Sequence, residues 1–210
     1  MRRYEDPKTF KDAERRALAF HEAGHAAMAW SFKVSLVSAS LQVIRENGGI
    51  SLGRVRYRWL LGSDARLMEW YISRSGPLAE VWGWDGWCEP YAMWSDFDDI
   101  QGFIDAEALD DRVAEGGPEA KRLFDLKVQV IEKAIERRLE GLRPQVEKLA
   151  FELMIRGEMT GDEIEELFNT SPPIVATASP ATVISEDLSA DAPEKEINQC
   201  RETAAVFTPR

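Results

Sequence analysis

The chain has 210 residues, of which 44% are hydrophobic, and its formal net charge at pH 7 is -11. A chain of this length has room for one core-bearing domain with appendages, so we expect a single domain and a tail. The acidic balance argues against a nucleic-acid partner, because phosphate binding needs a basic surface.

The cysteines and the hydropathy of the sequence bear on disulfides, metal sites and membrane spans. Cys88 and Cys200 lie far apart in the sequence, so neither a disulfide framework nor a cysteine-based zinc site is expected. No run of residues approaches the ~18 apolar residues that a membrane span needs, and no apolar stretch typical of a signal peptide follows the N-terminus. We therefore expect a cytoplasmic protein without a membrane span.

The first predicted helix covers roughly residues 12–31 and contains the sequence HEAGH at residues 21–25. Positions four apart return to nearly the same face of a helix, so His21 and His25 can bind one metal ion. Glu22 can then act on a water at that metal as a general base. The chain has no other histidine. The pattern predicts a zinc hydrolase site; the alternative is a chance match on a surface helix, which would hold no metal.

A β-hairpin is predicted next. Residues 34–44 are rich in β-branched side chains, residues 47–49 supply a turn, and residues 50–58 alternate apolar with polar side chains. Three arginines share one face of the second strand: Arg54, Arg56 and Arg58. Such charge either protects an exposed edge strand from aggregation or marks an edge that receives an extended peptide. The pattern is compatible with both interpretations.

The rest of the ordered chain is predicted to be helical, over residues 63–81, 95–109, 118–140, 145–155 and 160–168, with Gly76-Pro77 marking a break or kink in the first of these. Four of the seven tryptophans fall in residues 82–94, where we assign them to packing before a pocket wall or an oligomer contact. The composition from residue 170 to 210 indicates a disordered tail. The expected architecture is therefore a mainly α, α+β domain over residues 1–169 with a small hairpin and edge strand.

A third metal ligand could come from the start of the helix predicted over residues 95–109. Three carboxylates crowd its first turn: Asp96, Asp98 and Asp99. Acids are common there because the helix dipole favours negative charge. Composition alone therefore does not choose among the three.

Residues 15–26, RRALAFHEAGHA, resemble the M41 peptidases, the zinc protease domains of FtsH-type membrane AAA proteases. The likeness continues in GISLG, GPLAE, LAFEL and MTGDEI at residues 49–53, 76–80, 149–153 and 159–164. It spans about residues 10–168. The resemblance implies a helical metalloprotease domain that hydrolyses peptides or unfolded proteins.

The resemblance also implies roles for particular residues. Asp98-Asp99-Ile100 is similar to the family triplet whose aspartate is the third zinc ligand, which selects Asp99. Zn²⁺ would then be held by His21, His25 and Asp99, with Glu22 as the catalytic base. Substrate-binding positions are implied in the strand before the active-site loop: Ile50, Ser51, Leu52 and Gly53. Asp98 and then Glu80 are the alternative third ligands.

The chain departs from the family in its context. It contains no G-x-x-x-x-G-K-[ST] loop and no spanning helix, so we expect a stand-alone, ATP-independent peptidase, with a separate ATPase or a homo-oligomer as the candidate partners. Pro77 stands where the family usually carries arginine, and the family's G-M-S segment is replaced near residues 115–118. The alternative function is a non-catalytic zinc-binding interaction protein that retains the M41 scaffold.

Overall fold

The computed structural model describes residues 12–41, 44–46, 49–51, 53–58, 64–83, 94–110 and 113–170. Within these residues the protein is mostly helical and has a small three-stranded antiparallel sheet, which confirms the predicted mainly α, α+β class. Some expectations lie outside the described residues, among them the disordered tail, apart from Thr170, and the packing role of Trp84, Trp87 and the Trp94 side chain.

Six helices and five strands follow one another along the described chain. The helices are α1 (Asp12–Ser31), α2 (Ala65–Gly83), α3 (Trp94–Asp110), α4 (Gly117–Gly141), α5 (Arg143–Arg156) and α6 (Gly161–Asn169). The strands are β1 (Leu36–Ser40), β2 (Ile44–Glu46), β3 (Gly49–Ser51), β4 (Arg54–Tyr57) and β5 (Glu158–Thr160). Helix α2 continues through Pro77, so the predicted break does not end it. No helix of the described chain combines the length and the apolar character that a bilayer crossing requires.

Helix α1 lies at the centre of the core and packs on α2 and α5. Its close approach to α2 depends on glycine at two positions. A Cβ atom at Gly24 would lie 2.5 Å from the Ser75 carbonyl oxygen, and one at Gly83 would lie 2.7 Å from the Ala17 Cα. Any larger side chain would push the two helices apart. The helix pair is therefore packed backbone to backbone, which holds the HEAGH face of α1 against α2.

The three-stranded sheet has the order β4-β1-β5, with both pairings antiparallel. Ser38 in β1 lies opposite Arg56 in β4 and opposite Thr160 in β5. Strands β2 and β3 form a separate two-stranded ladder in which Ile44 lies opposite Ser51. The predicted hairpin is therefore present, divided into two ladders. Among the described strands, β4 is at one edge of the larger sheet.

Candidate metal centre

The two histidines of α1 and one aspartate of α3 meet in the interior. The Nε2 atoms of His21 and His25 are 3.0 Å apart. The Asp96 Oδ2 atom lies 2.9 Å from the His21 Nε2 and 3.6 Å from the His25 Nε2. This group of three residues could hold a metal ion.

Each imidazole is oriented through its other ring nitrogen. The His21 Nδ1 lies 3.0 Å from the Glu80 carboxylate, and the His25 Nδ1 lies 2.7 Å from the Ile72 carbonyl oxygen. A carboxylate and a carbonyl can only accept hydrogen bonds, so each Nδ1 donates, and the Nε2 atom of each ring is left to bind a metal ion or a proton. This arrangement is characteristic of histidines that bind metals.

The three donor atoms could hold a cation between them. Two Nε2 lone pairs and a carboxylate oxygen converge, and the buried Asp96 Oδ2 has no aligned hydrogen bond to any described residue. Ligands about 2.0–2.1 Å from a tetrahedral zinc lie about 3.3 Å from one another. The observed donor separations of 2.9, 3.0 and 3.6 Å bracket that value. The residues present fit a small divalent ion.

The close approach of the imidazoles and carboxylates shifts the pKa values of His21 and Asp96. Burial alone would lower the pKa of His21, but the neighbouring Asp96 and Glu80 carboxylates outweigh burial and raise this pKa to about 10. Burial would raise the pKa of Asp96, but the two imidazoles hold it well below its usual range. A proton on His21 therefore fills the role of the cation in the metal-free protein. Metal and proton compete for one position, so metal uptake is favoured as the pH rises.

Glu22 lies beside this centre without joining the group of three. Its side chain is 5% exposed. Burial raises the pKa of its carboxyl group, and the two histidines oppose that rise. A Cβ atom at Gly53 would lie 2.8 Å from the Glu22 Cδ, so the carboxyl group rests directly on the backbone at the start of β4. Glu22 therefore connects the metal centre to the edge strand.

Not every residue predicted for the site lies at the histidines. Asp99 is exposed, and its charge helps to raise the pKa of Tyr57, after burial and the hydrogen bond that this phenol donates to Glu69. The structure thus places Asp96, not Asp99, against the histidines. Positions three apart on a helix differ in side-chain direction by only about 60°, so the placement of α3 against α1 decides which of the two acids reaches the histidines, and it brings Asp96 there. The side chain of Asp98 lies outside the part that the structure describes.

One of the four predicted substrate-binding positions, Gly53, lies against the Glu22 carboxyl group. Ile50 and Ser51 belong to β3, the strand that leads toward Gly53, and Leu52 lies outside the described residues. Glu80, the last of the alternative ligands, is instead the hydrogen-bond partner of the His21 Nδ1.

Gly76 is a further residue that the centre requires, and Gly76→Ala is expected to remove most of the bound metal. A Cβ atom there would overlap the His25 ring and lie 2.9 Å from the His21 Nε2. The rings cannot swing away without breaking their Nδ1 hydrogen bonds. Metal content after gel filtration, measured by atomic absorption, tests this.

The matched control for this change is Gly102→Ala. Gly102 is also inside a helix, but nothing lies within 4 Å of the added Cβ atom. This control should keep the metal and gain about 0.5–1 kcal/mol in free energy of unfolding. Full metal occupancy in Gly76→Ala would show that the space beside the imidazoles is not needed.

A scan against models of known protein families and a search of curated proteins both return no match for this chain. The fold and the donor atoms nevertheless define a class of site. It is a centre of two histidines and one carboxylate, with a buried glutamate beside it.

Proposed function

We propose that this protein is a zinc-dependent metalloendopeptidase that hydrolyses peptide bonds in peptides and unfolded proteins. The observation that carries the proposal is the convergence of the His21, His25 and Asp96 donor atoms with the buried Glu22 carboxyl group beside them. The resemblance of residues 15–26 to the M41 peptidases supports the same function.

Zinc is a metal that this donor set suits, and the resemblance to the M41 peptidases favours it. Catalytic zinc sites commonly have three protein ligands from histidine and carboxylate side chains and keep a fourth position for water or substrate. Magnesium and calcium prefer sites built from oxygen atoms. Here two of the three donors are imidazole nitrogens. His21, His25 and Asp96 would hold the ion.

The residues of the chain account for the proton transfers of hydrolysis. Bound zinc would lower the pKa of a water and polarise the scissile carbonyl group. Glu22 would accept a proton from the attacking water and return it to the departing amine nitrogen. A carboxyl group whose pKa is raised by burial suits both tasks near neutral pH. A purely structural metal site has no use for such a base, so Glu22 favours an enzyme over an interaction protein.

The proposal is tested by metal removal. Purified protein is expected to hold about one zinc per chain, and to cleave unfolded casein. A chelator should abolish cleavage, and zinc, but not magnesium, should restore it. Zinc-loaded protein that cleaves neither casein nor short peptides would instead favour the non-catalytic interaction protein. Protein that binds no zinc would contradict both functions.

A further inference from the structure

The edge strand β4 and the residue that follows it carry two exposed positive charges. Arg56 and Arg58 are exposed, whereas the residues that precede each of them, Val55 and Tyr57, pack on the core. This alternation places both guanidinium groups on the outer face of the sheet. The formal net charge of the protein is -11, so this basic pair opposes the overall charge.

The strand passes the centre along its length. Gly53, immediately before β4, supports the Glu22 carboxyl group. At the other end of β4, Tyr57 donates a hydrogen bond to Glu69, and the Asp96 charge contributes to raising the Tyr57 pKa. A chain that lies along β4 therefore runs past the Glu22 carboxyl group at the Gly53 end.

One side of β4 pairs with β1, and no other described strand pairs with its second side. Such an edge can bind an extended peptide through main-chain hydrogen bonds. The two residues of the added strand that lie opposite Arg56 and Arg58 are two positions apart in the peptide. Their side chains point to the same face of the sheet as the two arginines. Carboxylates there would meet the two arginines at about 5 Å between Cβ atoms.

We infer that β4 is a substrate-binding edge, and that Arg56 and Arg58 select extended peptides that carry acidic side chains at two alternate positions. This inference rests on the proposed peptidase function. A second copy of the chain is a poorer occupant, because pairing of two β4 edges would place like-charged arginines near one another. Glu158, an exposed acid on β5, is separated from β4 by the intervening strand β1.

The test uses internally quenched peptides of one neutral sequence that differ at two alternate positions, which hold Glu, Gln or Lys. The pair is moved through the peptide in steps of one residue to sample the binding registers. Exposed ion pairs typically contribute a factor of about two to five each, so kcat/KM should be about tenfold higher for the best Glu peptide than for its Gln counterpart. Adjacent Glu residues should give only about a threefold preference, since one of them faces away and a single ion pair remains. Added salt should weaken both preferences.

Charge reversal tests whether Arg56 and Arg58 set the preference for acidic peptides. The double variant Arg56→Glu/Arg58→Glu is expected to prefer the Lys peptides, with zinc content unchanged. The control, Lys121→Glu/Arg122→Glu, makes the same change in net charge on exposed residues of α4 and should keep the wild-type preference. Equal preference in the two double variants, or no preference in the wild type, would overturn the inference.

Failure of the inference and failure of the proposed function are distinguishable. Cleavage of the Gln peptide without a charge preference would overturn the inference alone. No cleavage of any peptide by zinc-loaded protein would count against the peptidase function. In that case, fluorescence anisotropy of the same peptides with zinc-loaded Glu22→Gln protein still tests the edge, and equal affinity for Glu and Lys peptides would overturn the inference.

Discussion

Replacing Glu22 with glutamine is expected to slow peptide hydrolysis by about 10²- to 10⁴-fold, the usual contribution of a positioned general base. The amide has the size of the carboxyl group, so it fits against Gly53, but it cannot take up the proton of the attacking water. The zinc should stay, because Glu22 is not among the three residues that could hold the ion. Initial rates on a quenched peptide, beside zinc content by atomic absorption, give both quantities.

Glu80→Gln is the matched control for this change. It alters another buried glutamate of the site, whose carboxylate is the partner of the His21 Nδ1. Loss of such a partner typically weakens metal affinity by about 10–100-fold. Hydrolysis by this variant should recover at excess zinc, whereas that of Glu22→Gln should not. An unchanged rate in zinc-loaded Glu22→Gln protein would exclude Glu22 as the base.

Asp96→Asn is expected to remove zinc more completely than Glu80→Gln, because it neutralises an atom that would contact the ion. The substitution keeps the size of the side chain and loses the negative charge that helps to balance Zn²⁺. Asp99→Asn should keep wild-type affinity, since Asp99 is exposed and Asp96 alone of this pair reaches the imidazoles. Competition with a fluorescent zinc chelator measures the affinity of each variant.

Asp98→Asn belongs in the same series, since the sequence left all three acids open. Retention of zinc by Asp96→Asn, together with its loss in Asp99→Asn, would restore the ligand set implied by the M41 resemblance. Helix α3 would then have to be rotated by about 60° about its axis and shifted by about 4.5 Å along it to bring Asp99 to the histidines. Loss of zinc in none of the three would place the third ligand on another element.

Much of the fold was predictable because helix formation depends on neighbours in the sequence. The predicted first helix has the bounds of α1, and each later helix begins and ends within two residues of a predicted one. Strand β5 was not predicted. It has only three residues, and its pairing with β1 joins segments about 120 residues apart, so no local pattern marks it.

The sequence by itself also determined the pair of imidazoles. His21 and His25 are four residues apart on one helix, and the 3.6-residue turn places them together whatever the helix packs against. Glu22 follows from the same helix. The peptidase function itself stays a prediction, since the geometry supports it and no comparison tests it.

Only the tertiary structure decided what surrounds the histidines. The partners of their Nδ1 atoms, Glu80 and the Ile72 carbonyl, lie 59 and 47 residues away in the sequence. The choice between Asp96 and Asp99 depends on the rotation of α3 about its own axis. Each residue turns the side-chain direction by about 100°, and packing against α2, not the local sequence of α3, sets that rotation.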